Sequence, residues 1–131
     1  MALHFFVPTN KSTLADSMGE VLREAAKACV IPRFRALDPS DICEKSPGDL
    51  VTTADREAEA MIAARLSALL PSARIVGEEA CEGGPDLFTG LSQGEVWIID
   101  PIDGTGNYAA GRAPFAMMAA LLREGDVVAS A

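Results

Sequence analysis

The stretch WIIDPIDGT, residues 97–105, decides how this chain is read. Its apolar lead-in, Trp97-Ile98-Ile99, has the look of a buried strand that delivers Asp100 at its end. Pro101 then fixes φ and removes an amide donor, which blocks further regular pairing, and Asp103 follows three residues after Asp100. Gly104 lets the backbone come close to a ligand. Two carboxylates can thus converge on one site. If a helix turn opens at Gly104-Thr105, its free N–H groups offer an anion site beside them. Taken alone, an Asp-Pro or Asp-Gly step is usually only a turn.

Working outward, a second short β-like run at 73–76 ends at Gly77-Glu78-Glu79, so two strand ends carry acids. Between the two runs, residues 81–94 hold Gly and Pro and are expected to form a mobile surface loop. Upstream, Leu14, Met18, Val21, Leu22, Ala25, Ala26, Cys29 and Val30 recur at three and four, which predicts an amphipathic helix over 12–31 closed by Pro32. Residues 34–53 are short and punctuated, a hairpin or a pair of short strands. Thr53 or Asp55 could cap a second helix, whose apolar face is Ala58, Met61, Ile62, Leu66, Leu69 and Leu70 before Pro71. Residues 115–123 and 127–131 flank Glu124-Gly125-Asp126 and predict a hairpin. The expected class is α+β: two helices packed on a largely antiparallel sheet, with the acids at strand ends.

At 131 residues the chain has the length of one ordinary domain, which commonly runs about 100 to 150 residues. Its 49% apolar and 23% charged content is that of a globular protein and argues against wholesale disorder. A net charge of −8 repels phosphate backbones and anionic lipid, so direct nucleic-acid binding is disfavoured unless a metal mediates it. Cys29, Cys43 and Cys81 are far apart and form no C-x-x-C pair, as expected of reduced cytoplasmic thiols rather than a disulfide framework or zinc knuckle. The first residues, MALHFFVPTNK, lack a basic flank and a cleavage site, so they do not read as a signal peptide. The longest apolar run, 113–122, has half the roughly 20 residues of a spanning helix. No membrane association is expected.

Three acidic clusters stand out: Asp49 with Asp55, Glu78 with Glu79, and Asp100 with Asp103. Hard oxygen donors without His or thiolate partners favour Mg²⁺, Mn²⁺ or Ca²⁺ over zinc or copper. Several carboxylates in a partly dry site must be neutralised by protons or by a cation. Each piece also has a plain structural reading, since Glu78-Glu79 alone suits a solvated face and Asp55 alone suits a helix cap. The only histidine, His4, lies near the terminus and is not expected to act, which leaves acid–base work to carboxylates, hydroxyls and water.

GDLVTTAD (48–55), VGEEA (76–80) and WIIDPIDGTGNY (97–108), in this order and spacing, resemble the inositol monophosphatase family of metal-dependent, phosphate-cleaving enzymes. The resemblance runs from the first helix to the last residue and corresponds to the N-terminal half of a typical member. It implies that Glu78, Asp100 and Asp103 are metal ligands, joined by the main-chain carbonyl of Ile102. Gly104 and Thr105, with Asp103, match the substrate-phosphate cradle. Thr105 would act with Asp55 to position and activate the attacking water, and Glu79 would assist as a water partner. Lys45 could match a loop lysine near the site, although the loop here is shorter. Two or three Mg²⁺ ions, a phosphorylated small molecule as substrate and a homodimeric assembly are further implications. Inositol monophosphate is the first substrate choice, with histidinol phosphate, other sugar phosphates and nucleotide phosphates as alternatives within the family.

Family members complete the site with a later Trp-Asp-x-Ala-Ala-Gly-like segment, and nothing in these 131 residues matches it. The whole chain, 1–131, is therefore expected to be the truncated N-terminal part of one such domain. A non-catalytic module that binds cations or a partner is the competing expectation from a different functional class.

Overall fold

The computed structural model describes residues 13–79 and 90–131. The expectations for the MALHFFVPTNK terminus and His4, for Cys81 and for most of the 81–94 loop lie outside the described residues.

Helix α1 (Leu14–Ala25) begins where Thr13 and Asp16 cap each other reciprocally, each side chain accepting the other's backbone N–H. Its buried face, Met18, Val21, Leu22 and Ala25, is the predicted stripe. The helical path does not close at Pro32. It loosens into a π-helical turn (Ala26–Val30) and tightens into a 3₁₀ turn (Ile31–Arg33) that takes Pro32 near its start, where a missing N–H costs nothing.

Strands β1 (Ile42–Ser46) and β2 (Asp49–Thr52) form the antiparallel hairpin, which turns at Gly48 with φ 80°. Helix α2 (Thr53–Leu69) follows with no intervening loop. Its N-cap is Thr52; neither Thr53 nor Asp55 holds that position, and Asp55 is instead the reciprocal partner three residues on. The spacing signalled the helix start, and only the backbone conformation of Thr52 decided which residue stands outside it.

The main sheet runs β3 (Arg74–Gly77), β4 (Glu95–Asp103), β5 (Ala116–Arg123), β6 (Asp126–Ser130). Strand β3 pairs with β4 in parallel, and the other two pairings are antiparallel. Alternate residues of β4 and β5, Trp97 with Leu121 and Ile99 with Ala119, face Ala58, Ile62 and Leu66 of α2 and the stripe of α1 in one core. The architecture is thus an α+β layering of helices on a mostly antiparallel sheet.

Strand β4 departs from expectation in one respect. It continues through Pro101 to Asp103, because the partner register slips between Asp100 and Asp103 and admits one extra residue. A bulge needs no ladder N–H at that point, so the proline is tolerated and the strand bends there.

Helix α3 (Thr105–Ala109) is pinned from behind. The Tyr108 hydroxyl donates to the Val30 carbonyl in the π-helical turn at 2.7 Å, and its ring stacks on Phe34 and meets Phe115 edge-on. Burial and the nearby Asp55 charge push the Tyr108 phenol up to about 12. Because the folded phenol holds its proton more tightly than an unfolded one, its contribution to stability is complete below pH 10 and is lost as pH rises toward 12. Tyr108 is the only tyrosine, so ultraviolet titration reads it directly. A midpoint near 10 in the folded protein would refute the buried bond. Tyr108→Phe is expected to cost about 1 kcal/mol in urea unfolding, the scale of one net hydrogen bond.

Candidate active site

The site begins with the cap of α2. Asp55 is fully buried, and its Oδ2 accepts from the Thr52 backbone N–H at 2.8 Å and from the Thr52 hydroxyl at 2.6 Å. Its Oδ1 accepts from the Thr105 hydroxyl at 2.9 Å, across fifty positions of sequence. The capping role and the contact with Thr105 therefore coexist in one side chain. Thr105 Oγ1 also lies 2.9 Å from the Ile102 carbonyl, so its single hydrogen has two acceptors to choose between. Ile102 itself is buried, and its carbonyl keeps a second lone pair.

The bulge in β4 sets Asp100, Asp103 and Gly104 around the start of α3. Gly104 has φ 84°, which β-carbon residues rarely adopt, and a Cβ there would lie 3.0 Å from the Pro114 carbonyl oxygen. Asp103 is exposed, whereas Asp100 is half-buried and its Oδ1 is a buried acceptor with no hydrogen-bond partner among the described residues.

At the end of β3, Glu78 lies in hydrogen-bond contact with Asp100. Burial, followed by the contact with Asp100 and its charge, pushes the Glu78 carboxyl up to about 7. Burial likewise raises Asp100, reinforced by the charges of Asp103, Asp55 and Glu79. The neighbouring Glu79 is buried, and burial raises its carboxyl against the opposing pull of Lys45. Lys45, from β1, reaches Glu79 Oε2 at 3.2 Å and Glu78 Oε1 at 3.9 Å. Burial disfavours its charge, yet the bond to Glu79 and the charges of Glu79, Asp49 and Glu78 hold its ammonium above the ordinary lysine range.

This donor set fits a hard divalent cation. All side-chain donors are carboxylates, they sense one another's charge, and one buried oxygen of Asp100 lacks a partner. Among the described residues, however, no three Asp, Glu, His or Cys side chains already close around one point. Glu78 and Asp100 are brought together, and Asp103 is exposed and acts on Asp100 through its charge. Among the described residues, Lys45 lies against Glu78 and Glu79 and offsets part of their charge.

Sequence reasoning missed Thr52, which orders Asp55, and left Lys45 without weight although it reaches the acids. It also missed Glu59 on α2, whose Oε1 accepts from the Glu79 backbone N–H at 2.8 Å. The signal was present: Glu59 falls four residues after Asp55, on the face that buries Ile62 and Leu66, where an acidic residue is out of place unless it has work to do.

Comparison with known proteins shows the family and the fold. The pattern that defines the inositol monophosphatase family matches residues 7–131. Inositol monophosphatase 1 of Bos taurus is 37% identical over 99 residues, covering 76% of this chain and 32% of the relative. Inositol-1-monophosphatase of Rhizobium meliloti is 33% identical over 118 residues, covering 90% of this chain and 42% of the relative. Among solved structures, the extragenic suppressor protein suhB of Bartonella henselae superposes with a TM-score of 0.71 at 31% identity over 89% of this chain and 43% of that one. The Thermotoga maritima IMPase gives 0.64 at 31% identity, over 82% of this chain and 39% of that one. The chain spans between about a third and somewhat under half the length of these relatives. Shared motif order, shared fold and a match over nearly every residue lead to one conclusion: this chain belongs to the inositol monophosphatase family.

Proposed function

We propose that these residues form the N-terminal part of the active site of a Mg²⁺-dependent phosphomonoesterase acting on a small phosphorylated alcohol. Inositol monophosphate is the first substrate choice, because the Bos taurus and Rhizobium meliloti relatives carry that name. Histidinol phosphate and other sugar or nucleotide phosphates remain alternatives to be compared in the same assay. The observation that carries the reading is the Thr105 hydroxyl bonded to buried Asp55 beside the Glu78–Asp100 pair.

When bound by Glu78, Asp100, Asp103 and the Ile102 carbonyl, Mg²⁺ supplies Lewis acidity toward water and the phosphate oxygens. Asp55 is sealed from solvent, so it can act on water only through Thr105. With its own hydrogen donated to Asp55 Oδ1, Thr105 Oγ1 offers lone pairs to hold the attacking water in line with phosphorus. The amides of Gly104 and Thr105, at the start of α3, meet the phosphate oxygens. Lys45, paired with Glu79 Oε2, opposes the burial that disfavours the Glu79 charge and holds that side chain in place. Separated free thiols suit a cytoplasmic enzyme, and a homodimer is the proposed assembly.

Mg²⁺-dependent phosphate release from inositol monophosphate, measured by malachite green against histidinol phosphate, tests the assignment. Asp103→Asn is expected to abolish release with little loss of fold, because Asp103 is exposed. Retained turnover in that variant overturns the role of Asp103. Mg²⁺ binding without turnover on any of these esters would make the chain a cation-binding module.

A further inference from the structure

Two backbone bonds hold the turn that presents Glu78 and Glu79. The Glu78 N–H donates to the Ile99 carbonyl, one residue before Asp100, at 3.2 Å. The Glu79 N–H donates to Glu59 Oε1 at 2.8 Å. Glu59 is 6% exposed, so its carboxylate sits beneath the turn and not in solvent. Above it, Gly77 leaves no room for a side chain: a Cβ there would lie 2.5 Å from both Cδ and Oε1 of Glu59 and 2.9 Å from Oε2. Gly77 has no left-handed backbone conformation to account for it. The requirement for glycine is steric.

A carboxylate end can usually swing aside. Here that movement would break the bond to the Glu79 amide and leave a buried donor unpaired. The glycine, the carboxylate and the turn therefore form one interlocked unit, with α2 as its rigid base. The same helix carries Asp55 one turn earlier, so α2 sets both the Thr105 partner and the Glu78–Glu79 turn.

We propose that Glu59 is a positioning residue, which through the Glu79 amide and the space left by Gly77 holds the turn so that Glu78 receives the cation with Glu79 beside it. This rests on the metal-dependent reading above. Removing an outer partner of a metal ligand typically costs about 10- to 100-fold in metal affinity.

The test is Mg²⁺ affinity by titration calorimetry on the folded protein, with urea unfolding as a second readout. Glu59→Ala is expected to weaken Mg²⁺ binding by about 10- to 100-fold, whereas Glu59→Gln, which keeps the accepting oxygen, stays near the wild type. Gly77→Ala alone should weaken binding comparably and lower the urea midpoint. In the Glu59→Ala background it should do neither, because the clashing group is gone. Ile62→Val, on the same helix, serves as a control that lowers stability and leaves Mg²⁺ affinity unchanged. If Glu59→Ala does not fold, Glu59→Asp carries the same expectation, since it keeps the charge but is too short to reach the amide. Wild-type affinity in folded Glu59→Ala or Glu59→Asp, or an equal effect of Gly77→Ala in both backgrounds, overturns the inference. A wild type that binds no Mg²⁺ overturns the metal-dependent reading itself, a result distinct from either of those.

Discussion

Asp55→Asn is expected to lower Mg²⁺-dependent phosphate release by about 10²- to 10⁴-fold, the usual span for losing a positioned general base, while the protein still folds. The reason lies in how the two oxygens of Asp55 are shared. Oδ2 takes two donors from Thr52, and Oδ1 takes the Thr105 hydroxyl. An asparagine has one acceptor oxygen and can satisfy only one side. Turning that oxygen to Thr52 preserves the helix cap with its two bonds and points an NH₂ group at Thr105. Thr105 must then accept from the amide and send its hydrogen to the Ile102 carbonyl, 2.9 Å away. The amide then occupies one of its two lone pairs, and no carboxylate stands behind it to take a proton. Thr105→Val should reproduce the loss with the hydroxyl gone and the shape kept, and Thr105→Ser should restore most of the activity. Near-normal turnover in both Asp55→Asn and Thr105→Val would show that the pair serves the fold alone.

Asp100→Asn should move stability and metal response in opposite directions. With Mg²⁺ chelated, Asp100 and Glu78 are carboxyls in contact, and Asp100 Oδ1 is buried without a partner among the described residues. Replacing one of them by an amide removes a like charge and gives Glu78 a donor. The chelated variant is then expected to gain on the order of 1 kcal/mol in urea unfolding, the scale of one net hydrogen bond. Adding Mg²⁺ at a hundred times its dissociation constant should stabilise the wild type by about 2.7 kcal/mol by mass action and the variant by far less. A variant that is less stable in chelator and responds normally to Mg²⁺ would show that Asp100 holds the strand end together and does not bind the ion. The expected pattern is the usual conflict at a functional site, where groups gathered for a ligand oppose the fold that gathers them.

The sequence by itself determined the local elements and the chemical character of the site. The three-and-four spacing of Met18, Val21, Leu22 and Ala25 depends only on which face each residue presents, and the apolar run Trp97-Ile98-Ile99 marks a strand buried in the core; the stripe and the strand are both present in the fold. The hairpin across Glu124-Gly125-Asp126 and the helix turn opening at Gly104 were equally legible, because Gly125 and Gly104 take the left-handed conformations that such turns require. The acids were legible as hard donors from their type alone.

Tertiary structure decided what those acids can touch. Thr105 meets Asp55 only because α2 and the bulged end of β4 pack together, and no periodicity encodes a contact between residues fifty apart. The bulge itself, the reach of Lys45 from the hairpin to Glu79, and the fit of the Glu59 carboxylate under Gly77 follow from strand register and helix placement. Backbone geometry and residue pattern act within a few positions, whereas contacts across the fold depend on how whole elements settle against a shared core.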